Sequence, residues 1–171
     1  MIYLREKDLT KEEYLNLSLR VQKLCKNHQA KLILPANCEF LDQFQDINLQ
    51  AGKNTPDLKS LRKRLGEDYK IGYSAHNLEE AKEAEKNGAS YLFFSSIFSS
   101  PSKPDLKPIG LEALQNVCSQ TKIPVYALGG ITPQNISNIM EAGAYGIAAI
   151  SSLQEKETSK LLVKYMKKYD Q

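Results

Sequence analysis

Two adjacent glycines and two adjacent serines are the residues whose types and spacing most directly indicate chemistry. Gly129 and Gly130 follow one short apolar run, and Ser151 and Ser152 follow the next one along the chain. Glycine has no Cβ atom, so a ligand can approach its backbone amide closely. Such turns after neighbouring parallel strands are typical of the phosphate site built by the last two strand–helix loops of a (βα) barrel. The pattern predicts binding of a phosphorylated small molecule; the alternative is that Gly129-Gly130 is only a tight turn.

Thr132 and Pro133 follow the glycines directly and predict the start of a helix. Threonine is a good N-cap, and proline suits the first helical position. We expect this helix to cover residues 133–142 and to end at Gly143. The glycine turn would then join a strand to a helix, as in one unit of a parallel βα fold.

Length, composition and charge indicate one globular domain over residues 1–171. The chain is 42% hydrophobic and 25% charged, and its net charge of +3 is dispersed, which does not indicate a nucleic-acid partner. No apolar run is long enough to span a membrane, and the amino terminus resembles a strand and not a signal peptide. We therefore expect a cytoplasmic protein without a membrane partner.

Cys25, Cys38 and Cys118 show neither a CxxC spacing nor the Cys/His pattern of a zinc site. Their odd number indicates reduced, partly buried thiols and not disulfides. The sequence therefore predicts no metal site.

Short apolar runs alternate with amphipathic segments along the whole chain. The predicted strands cover residues 2–5, 31–34, 47–50, 70–74, 91–97, 125–128 and 146–150. The predicted helices cover residues 10–28, 55–65, 78–87, 111–119, 133–142 and 155–169, with a weaker one at 37–45. Thr10 and Glu13 predict a capping box at the start of the first helix, with Leu24 on its buried side, and Leu161 of the last helix is expected to face inward. The nearly continuous apolar character of several strands is typical of a parallel sheet covered on both faces. Seven such units indicate a parallel barrel or a doubly wound sheet.

Small polar residues at the ends of several predicted strands favour the barrel, because barrel sites lie on that face. A complete barrel has eight strands, and the deficit here lies at the start of the chain. The predicted fold class is therefore α/β, a TIM-like (βα) barrel of about seven strands that lacks the first βα unit. Such an open barrel would expose strand edges, so we expect a homodimer partner or a rearranged segment to cover them.

Several segments, in order and with family-like spacing, resemble the thiamine phosphate synthase/TenI family. They cover residues 3–7, 71–81, 97–104, 108–111, 127–132 and 142–144. The resemblance implies a (βα)8 barrel, although family members usually begin one βα unit earlier. It also implies one of two activities. Synthases join hydroxymethylpyrimidine pyrophosphate to thiazole phosphate and release pyrophosphate with magnesium, whereas TenI proteins isomerise a thiazole carboxylate phosphate.

The resemblance assigns roles to a basic pair near the amino terminus. Arg5 and Lys7 match the pair that would bind a pyrophosphate or a carboxylate, by fork geometry and by point charge. The alternative is a solvated strand end. Ser74 matches a family serine at a strand end, and Tyr3 replaces the glutamine that is usual in synthases.

The resemblance also assigns two groups of residues to phosphate binding. Ser100, Ser102 and Lys103 stand where synthases have a Thr-x-Thr-Lys loop, whose hydroxyls and ammonium group can neutralise phosphate charge. The alternative is a surface loop. The thiazole-phosphate cradle of the family is matched by Gly129, Gly130, Ile150 and Ser151.

Two carboxylate positions of the synthases are occupied by other residues here. Synthases carry Asn-Asp where this chain has Pro35-Ala36, and another Asp near Lys53. Magnesium prefers carboxylate oxygens beside substrate phosphates, so these replacements argue against an efficient synthase. Asp57 is better explained as the acidic residue of a helix's first turn.

TenI proteins lack the same carboxylates, which favours a tautomerase. Their proton-transfer histidine would fall at Ser96, and serine is a poor general base without an activating partner. His76, at a neighbouring strand end, could serve instead, with Lys103 and Arg5 as further catalytic residues. The alternative for His76 is a place in the cap of the next helix.

Three hypotheses follow. The first is a TenI-like enzyme that binds thiazole phosphate or a similar small phosphate ester and moves a proton on it. The second is a divergent thiamine phosphate synthase, the only one that would need Mg²⁺. The third is a non-catalytic protein that binds or senses a phosphate ligand.

Overall fold

The computed structural model describes residues 1–100 and 107–167, and within these ranges seven strands alternate with helices. The chain divides into two compact units, Met1–Gly72 and Tyr73–Gln171. The alternation agrees with the predicted α/β class.

The first unit is built around three parallel strands. Its elements are β1 (Ile2–Tyr3), α1 (Lys11–Asn27), β2 (Leu32–Pro35), β3 (Asn48–Ala51) and α2 (Leu58–Leu65). Ile2 pairs with Leu32, and Leu34 pairs with Leu49. Strand β4 (Lys70–Ala75) crosses the division between the units.

Helix α1 begins at the predicted capping box. The Thr10 side chain accepts from the Glu13 amide, and the Glu13 carboxylate accepts from the Thr10 amide at 2.9 Å. The helix buries Tyr14, Ser18 and Cys25. Leu24, which we expected on the buried side, is 58% exposed. The buried stripe therefore runs one residue away from Leu24, and Cys25 takes its place.

The second unit also contains three neighbouring parallel strands. Its elements are α3 (Leu78–Lys86), β5 (Tyr91–Ser95), α4 (Gly110–Gln120), β6 (Val125–Leu128), α5 (Ile136–Glu141), β7 (Gly146–Ala148), α6 (Ser151–Gln154) and α7 (Lys156–Met166). Leu92 pairs with Val125, and Tyr126 pairs with Gly146. All five residues of β5 are buried, as the continuous apolar run indicated.

Two predicted strand ends are wrong because other groups take the backbone bonds there. β1 ends at Tyr3, since the Leu4 carbonyl accepts from the Tyr14 hydroxyl at 2.8 Å; Arg5 therefore lies beyond the strand. β5 ends at Ser95, since the Ser96 carbonyl accepts from the Ile109 amide at 2.9 Å.

The end of β7 was also predicted too late. β7 ends at Ala148, and Ser151 and Ser152 do not end this strand but begin helix α6, with Ile150 as its N-cap. The Leu153 amide donates to the Ile150 carbonyl at 3.0 Å, which turns the chain into the helix.

Several predicted helices differ from the observed ones. Residues 37–45 contain only a short 3₁₀ turn, Leu41–Gln43. Thr132 and Pro133 do not start a helix, because α5 begins at Ile136, after Asn135. Leu161 was expected to face inward but is 43% exposed, whereas Leu162 of the same helix is buried.

The three cysteines are free thiols, as predicted. In the described part of the chain, no helix is both long enough and apolar enough to span a membrane.

Candidate functional site

The turn at Gly129 and Gly130 requires glycine for two reasons. Their φ angles are +105° and +63°, which side chains rarely adopt. A Cβ atom on Gly129 would lie 2.9 Å from the Ser96 Cα atom, and one on Gly130 would lie 2.7 Å from the Phe98 Cβ atom. The absent Cβ atoms therefore make room for the segment after β5.

The amide groups of this turn have no acceptor among the residues that the structure describes. The Gly129 and Gly130 carbonyls accept from the Phe98 amide at 3.1 Å and the Asn135 side chain at 2.9 Å. Their two N–H groups donate to no acceptor among the described residues. Such amides at the end of a strand can donate to an anion such as a phosphate.

Asn135 holds the loop that follows the glycines. Its Nδ2 atom donates to the Gly130 carbonyl at 2.9 Å, and its Oδ1 atom accepts from the Thr132 amide at 2.9 Å. The sequence analysis missed this residue. The signal was an asparagine three residues after Thr132, since asparagine side chains commonly close such turns.

A cavity of about 460 Å³ opens beside the glycine turn, entirely within the second unit. Five residues that the sequence analysis assigned to phosphate binding lie together in its wall: Ser100, Gly129, Gly130, Ile150 and Ser151. The wall has further polar residues, Ser99, Thr132, Gln134, Ser152, Glu155 and Thr158, and an apolar part formed by Leu128, Ile131, Pro133, Ala148, Ala149 and Leu161. Its mixed wall suits a small ligand with one phosphate and an apolar ring.

Ser151 and Ser152, at the start of α6, contribute to this wall in different ways. The Ser152 hydroxyl donates to the Ile131 carbonyl, which joins α6 to the glycine turn. Ser151 is exposed in the wall, and Ile150 is 70% exposed. Ser151 is therefore accessible to a ligand, whereas Ser152 has a structural bond.

His76 lies just after β4 and is exposed. Its Nδ1 atom is 2.7 Å from the Ser95 carbonyl, which can only accept, so Nδ1 carries a proton. In the neutral ring Nε2 is then the basic nitrogen. The His76 amide donates to the Glu80 carboxylate at 2.9 Å. The His76 backbone therefore belongs to the cap of α3, which was the alternative explanation of this residue. The ring and the backbone of His76 therefore bind different partners, Ser95 and Glu80.

The Ser96 hydroxyl has a hydrogen bond within its own loop, and this arrangement does not prepare it to act as a general base. Its hydroxyl donates to the Phe98 carbonyl at 3.0 Å. No carboxylate or histidine that could activate it is hydrogen-bonded to it among the described residues. Ser74, in β4, is partly buried and is not part of the cavity wall.

The basic pair lies in the first unit. Arg5 and Lys7 are both exposed. Burial raises the pKa of Tyr3, and a hydrogen bond with the Arg5 side chain opposes that rise. Nearby, burial raises the pKa of the Cys38 thiol to about 11. Arg5 thus has the Tyr3 phenol as a hydrogen-bond partner, at the position where synthases usually have a glutamine.

The remaining predicted site residues, Ser102 and Lys103, lie outside the described residues. Ser100 is the last described residue of that loop and is half-buried in the cavity wall.

The described residues do not fit a magnesium site held by protein carboxylates. Pro35 ends β2 and Ala36 follows it, and Gly52 and Lys53 follow β3, so neither position offers a carboxylate. Within the described ranges no three His, Cys, Asp or Glu residues are grouped so that they could hold a metal ion. At these two positions the chain therefore has no carboxylate that could bind magnesium.

The chain matches a family model described as "Thiamine monophosphate synthase" over residues 1–153. A protein of Aquifex aeolicus named putative thiamine-phosphate synthase 2 is 42% identical over 157 residues, which cover 91% of this chain and 83% of that protein. The thiamine-phosphate synthase of Caldivirga maquilingensis is 34% identical over 172 residues, covering 100% of this chain and 83% of that protein.

Solved structures confirm the fold class. Thiamine phosphate pyrophosphorylase from Pyrococcus furiosus superimposes with a TM-score of 0.86 at 26% identity, over 97% of this chain and 82% of that one. A 3-hexulose-6-phosphate synthase, at 15% identity, shows the fold alone with a TM-score of 0.70, over 95% of this chain and 85% of that one. The fold is of the TIM-like α/β type, and the chain belongs to the thiamine monophosphate synthase family of thiamine biosynthesis.

Proposed function

We propose that this protein binds thiazole phosphate in the cavity beside Gly129 and Gly130 and uses it to form thiamine phosphate. The observation that carries the binding step is the pair of glycine amides at the end of β6, which have no acceptor in the described part of the chain and lie in the wall of a cavity of about 460 Å³. Their N–H dipoles can hold the phosphate, and the Ser151 hydroxyl can donate a further hydrogen bond. The apolar wall can pack against the thiazole ring.

The names of the relatives favour the condensation. Two of them, at 33% and 34% identity, are named thiamine-phosphate synthase. In this reaction the thiazole nitrogen forms a bond to the methylene carbon of the pyrimidine, and pyrophosphate leaves with the bonding electrons of the broken C–O bond. The leaving group is strongly anionic and needs positive charge beside it. Arg5 and Lys7 are our candidates for that charge, with Lys103 as a further one, and the Ser100 and Ser102 hydroxyls are candidate hydrogen-bond donors.

A second candidate function is proton transfer on a thiazole carboxylate phosphate. The specific observation in its favour is the Nδ1–H···O bond of His76 with Ser95, at 2.7 Å, which leaves Nε2 as the basic nitrogen. The replacement of two synthase carboxylates by Ala36 and Lys53 also fits a reaction without a pyrophosphate leaving group.

Calorimetric titration with thiazole phosphate tests the binding step. The informative variant is Ser151→Asp, because this exposed position in the cavity wall accepts a carboxylate without a steric clash and the new charge repels phosphate. The matched control is Ser119→Asp, an exposed serine of α4 outside the cavity. We expect binding in the wild type and the control, and loss of binding in Ser151→Asp. Equal binding by all three proteins would refute the assignment of the cavity.

Turnover assays separate the two reactions. The wild type is given thiazole phosphate, the pyrimidine pyrophosphate and Mg²⁺, and thiamine phosphate is measured; the thiazole carboxylate phosphate is offered in a second assay. Formation of thiamine phosphate that survives His76→Gln supports the synthase. Isomerisation that is lost in His76→Gln, with thiazole phosphate binding intact, supports the tautomerase and overturns our first choice.

A further inference from the structure

The cavity wall has an unusual balance of charge for a site that would hold a phosphate. Among its described residues there is no lysine or arginine, and the ionisable side chain present is Glu155. The donors that these described residues offer to a phosphate are backbone amides, hydroxyls and the Gln134 side-chain amide, which are dipoles without net charge. A carboxylate in the same wall therefore works against any anion that enters.

Glu155 is held at the edge of the cavity by a neighbour on the next helix. It directly precedes α7, and its Oε2 atom accepts from the Thr158 hydroxyl at 2.6 Å. Thr158 is also part of the cavity wall. Because the hydroxyl satisfies one carboxylate oxygen locally, Glu155 remains beside the cavity without a cationic partner among the described residues.

We propose that Glu155 is a specificity-determining residue that keeps more highly charged phosphates, pyrophosphate above all, out of the cavity. The inference rests on the proposed function, since it concerns the ligand of the same cavity. A phosphate monoester carries up to two negative charges, and a pyrophosphate group carries about one more. The repulsion by the carboxylate grows in proportion to the charge of the ligand, so Glu155 shifts selection towards the monoester relative to a neutral residue at the same position.

For the condensation, this selection would direct the two phosphorylated substrates, the thiazole monophosphate and the pyrimidine pyrophosphate, to different positions. Both are anions, and both would be attracted to a cationic pocket. A cavity of dipoles with a carboxylate at its edge admits the thiazole monophosphate and leaves the pyrophosphate for positions that carry positive charge. The expected size is modest: Coulomb's law for charges about 5 Å apart in water gives about a fourfold change in affinity per unit of ligand charge.

Competition calorimetry tests this selection. Thiazole phosphate is titrated in the presence of increasing inorganic pyrophosphate, and the ratio of the two apparent dissociation constants is measured for the wild type, Glu155→Gln and Glu155→Lys. We expect the ratio to move towards pyrophosphate by about fourfold in Glu155→Gln and by about sixteenfold in Glu155→Lys. Both shifts should shrink as salt is raised, since the residue is exposed.

The matched control is Glu157→Gln, two residues further along. Glu157 is exposed and pairs with Lys160 at 2.8 Å, and it is not part of the cavity wall. An unchanged ratio in both Glu155 variants, or an equal shift in the Glu157 control, would overturn the inference while the proposed binding site stands. If the wild type does not bind thiazole phosphate at all, the proposed function fails first and the inference falls with it.

Discussion

The cavity of the second unit and the Arg5 region of the first unit, which contains Arg5 and Lys7, would both receive anions. The cavity would do so with uncharged hydrogen-bond donors, and the Arg5 region with cationic side chains. The cavity offers glycine amides and hydroxyls, and its ionisable described side chain is the carboxylate of Glu155. The Arg5 region offers two exposed cations, one of them hydrogen-bonded to the Tyr3 phenol. Dipoles fixed by the backbone demand a defined turn, whereas a charged side chain acts over a longer range and tolerates movement. Changes in the cavity should therefore affect stability, and changes at Arg5 should affect catalysis alone.

The largest expected effect is on stability, at Gly130. In Gly130→Ala the new methyl group meets Phe98 and the Ser99 carbonyl at a φ of +63°, so we expect the free energy of unfolding to fall by about 2–4 kcal/mol. Urea unfolding measures the change. The control is Gly66→Ala, where φ is +71° but the methyl group meets no atom within 4 Å. The control should lose about 1–3 kcal/mol from the backbone alone, because a ψ of −161° at this φ lies in a region almost restricted to glycine. Equal losses in the two variants would show that the close approach at Gly130 is unimportant.

The next effect is kinetic, at Arg5. In Arg5→Ala the synthase assay should lose about 10- to 100-fold in kcat/KM, which is the usual worth of a hydrogen bond to a charged group. Thiazole phosphate binding by calorimetry should not change, nor should the unfolding midpoint, because Arg5 is exposed. Arg20→Ala, an exposed arginine of α1, is the control. A large loss of stability in Arg5→Ala would contradict the contrast between the two regions.

A smaller effect is expected at Asn135, which supports the cavity without being part of its wall. Asn135→Ala removes the bonds to the Gly130 carbonyl and the Thr132 amide, so the free energy of unfolding should fall by about 1–2 kcal/mol. Thiazole phosphate should bind several-fold more weakly, because the glycine amides lose their fixed direction. Asn138→Ala, at an exposed position of α5, is the control. Unchanged binding in Asn135→Ala would mean that the turn keeps its shape without this side chain.

The smallest effect concerns pH and places one probe in each unit. Burial raises the pKa of Cys38 and of Cys118 to about 11, from the ordinary thiol value of 9.0. A raised pKa means that the folded state binds the proton more tightly, so the contribution is complete below pH 9 and is lost as the pH rises from about 9 to 11. Cys38→Ser and Cys118→Ser should each flatten the alkaline loss of stability, as measured by urea unfolding between pH 8 and pH 10. A loss as steep as that of the wild type in both variants would contradict the burial of the thiols.

The sequence predicted the fold because its signals are local and strong. The capping box of Thr10 and Glu13 and the apolar run of β5 each have one physical explanation, and both are present. The errors arose where a distant group competes for the backbone. The Tyr14 hydroxyl ends β1 at Tyr3, and Asn135 displaces Thr132 as the group that organises the start of α5. Periodicity does not report such competition.

The candidate site was predictable in its glycines and serines but not in its charge. Gly129, Gly130 and Ser151 follow the ends of β6 and β7, where a parallel fold must place them together. Glu155 and Thr158 are separated from the glycines by 25 residues or more of sequence. They reach the cavity only because α6 turns the chain after Ile150, and residue types alone do not reveal that turn.

The fit between Gly129 and Ser96 also constrains how this chain can vary. A Cβ atom on Gly129 would collide with the Ser96 side chain and with its Cα atom. The two positions are therefore epistatic: an alanine at 129 is not rescued by trimming Ser96 to glycine unless the backbone of residue 96 also shifts. Residues 96–99 after β5 are therefore poor positions for insertions or larger side chains, because Ser96, Phe98 and Ser99 lie directly against the glycine turn.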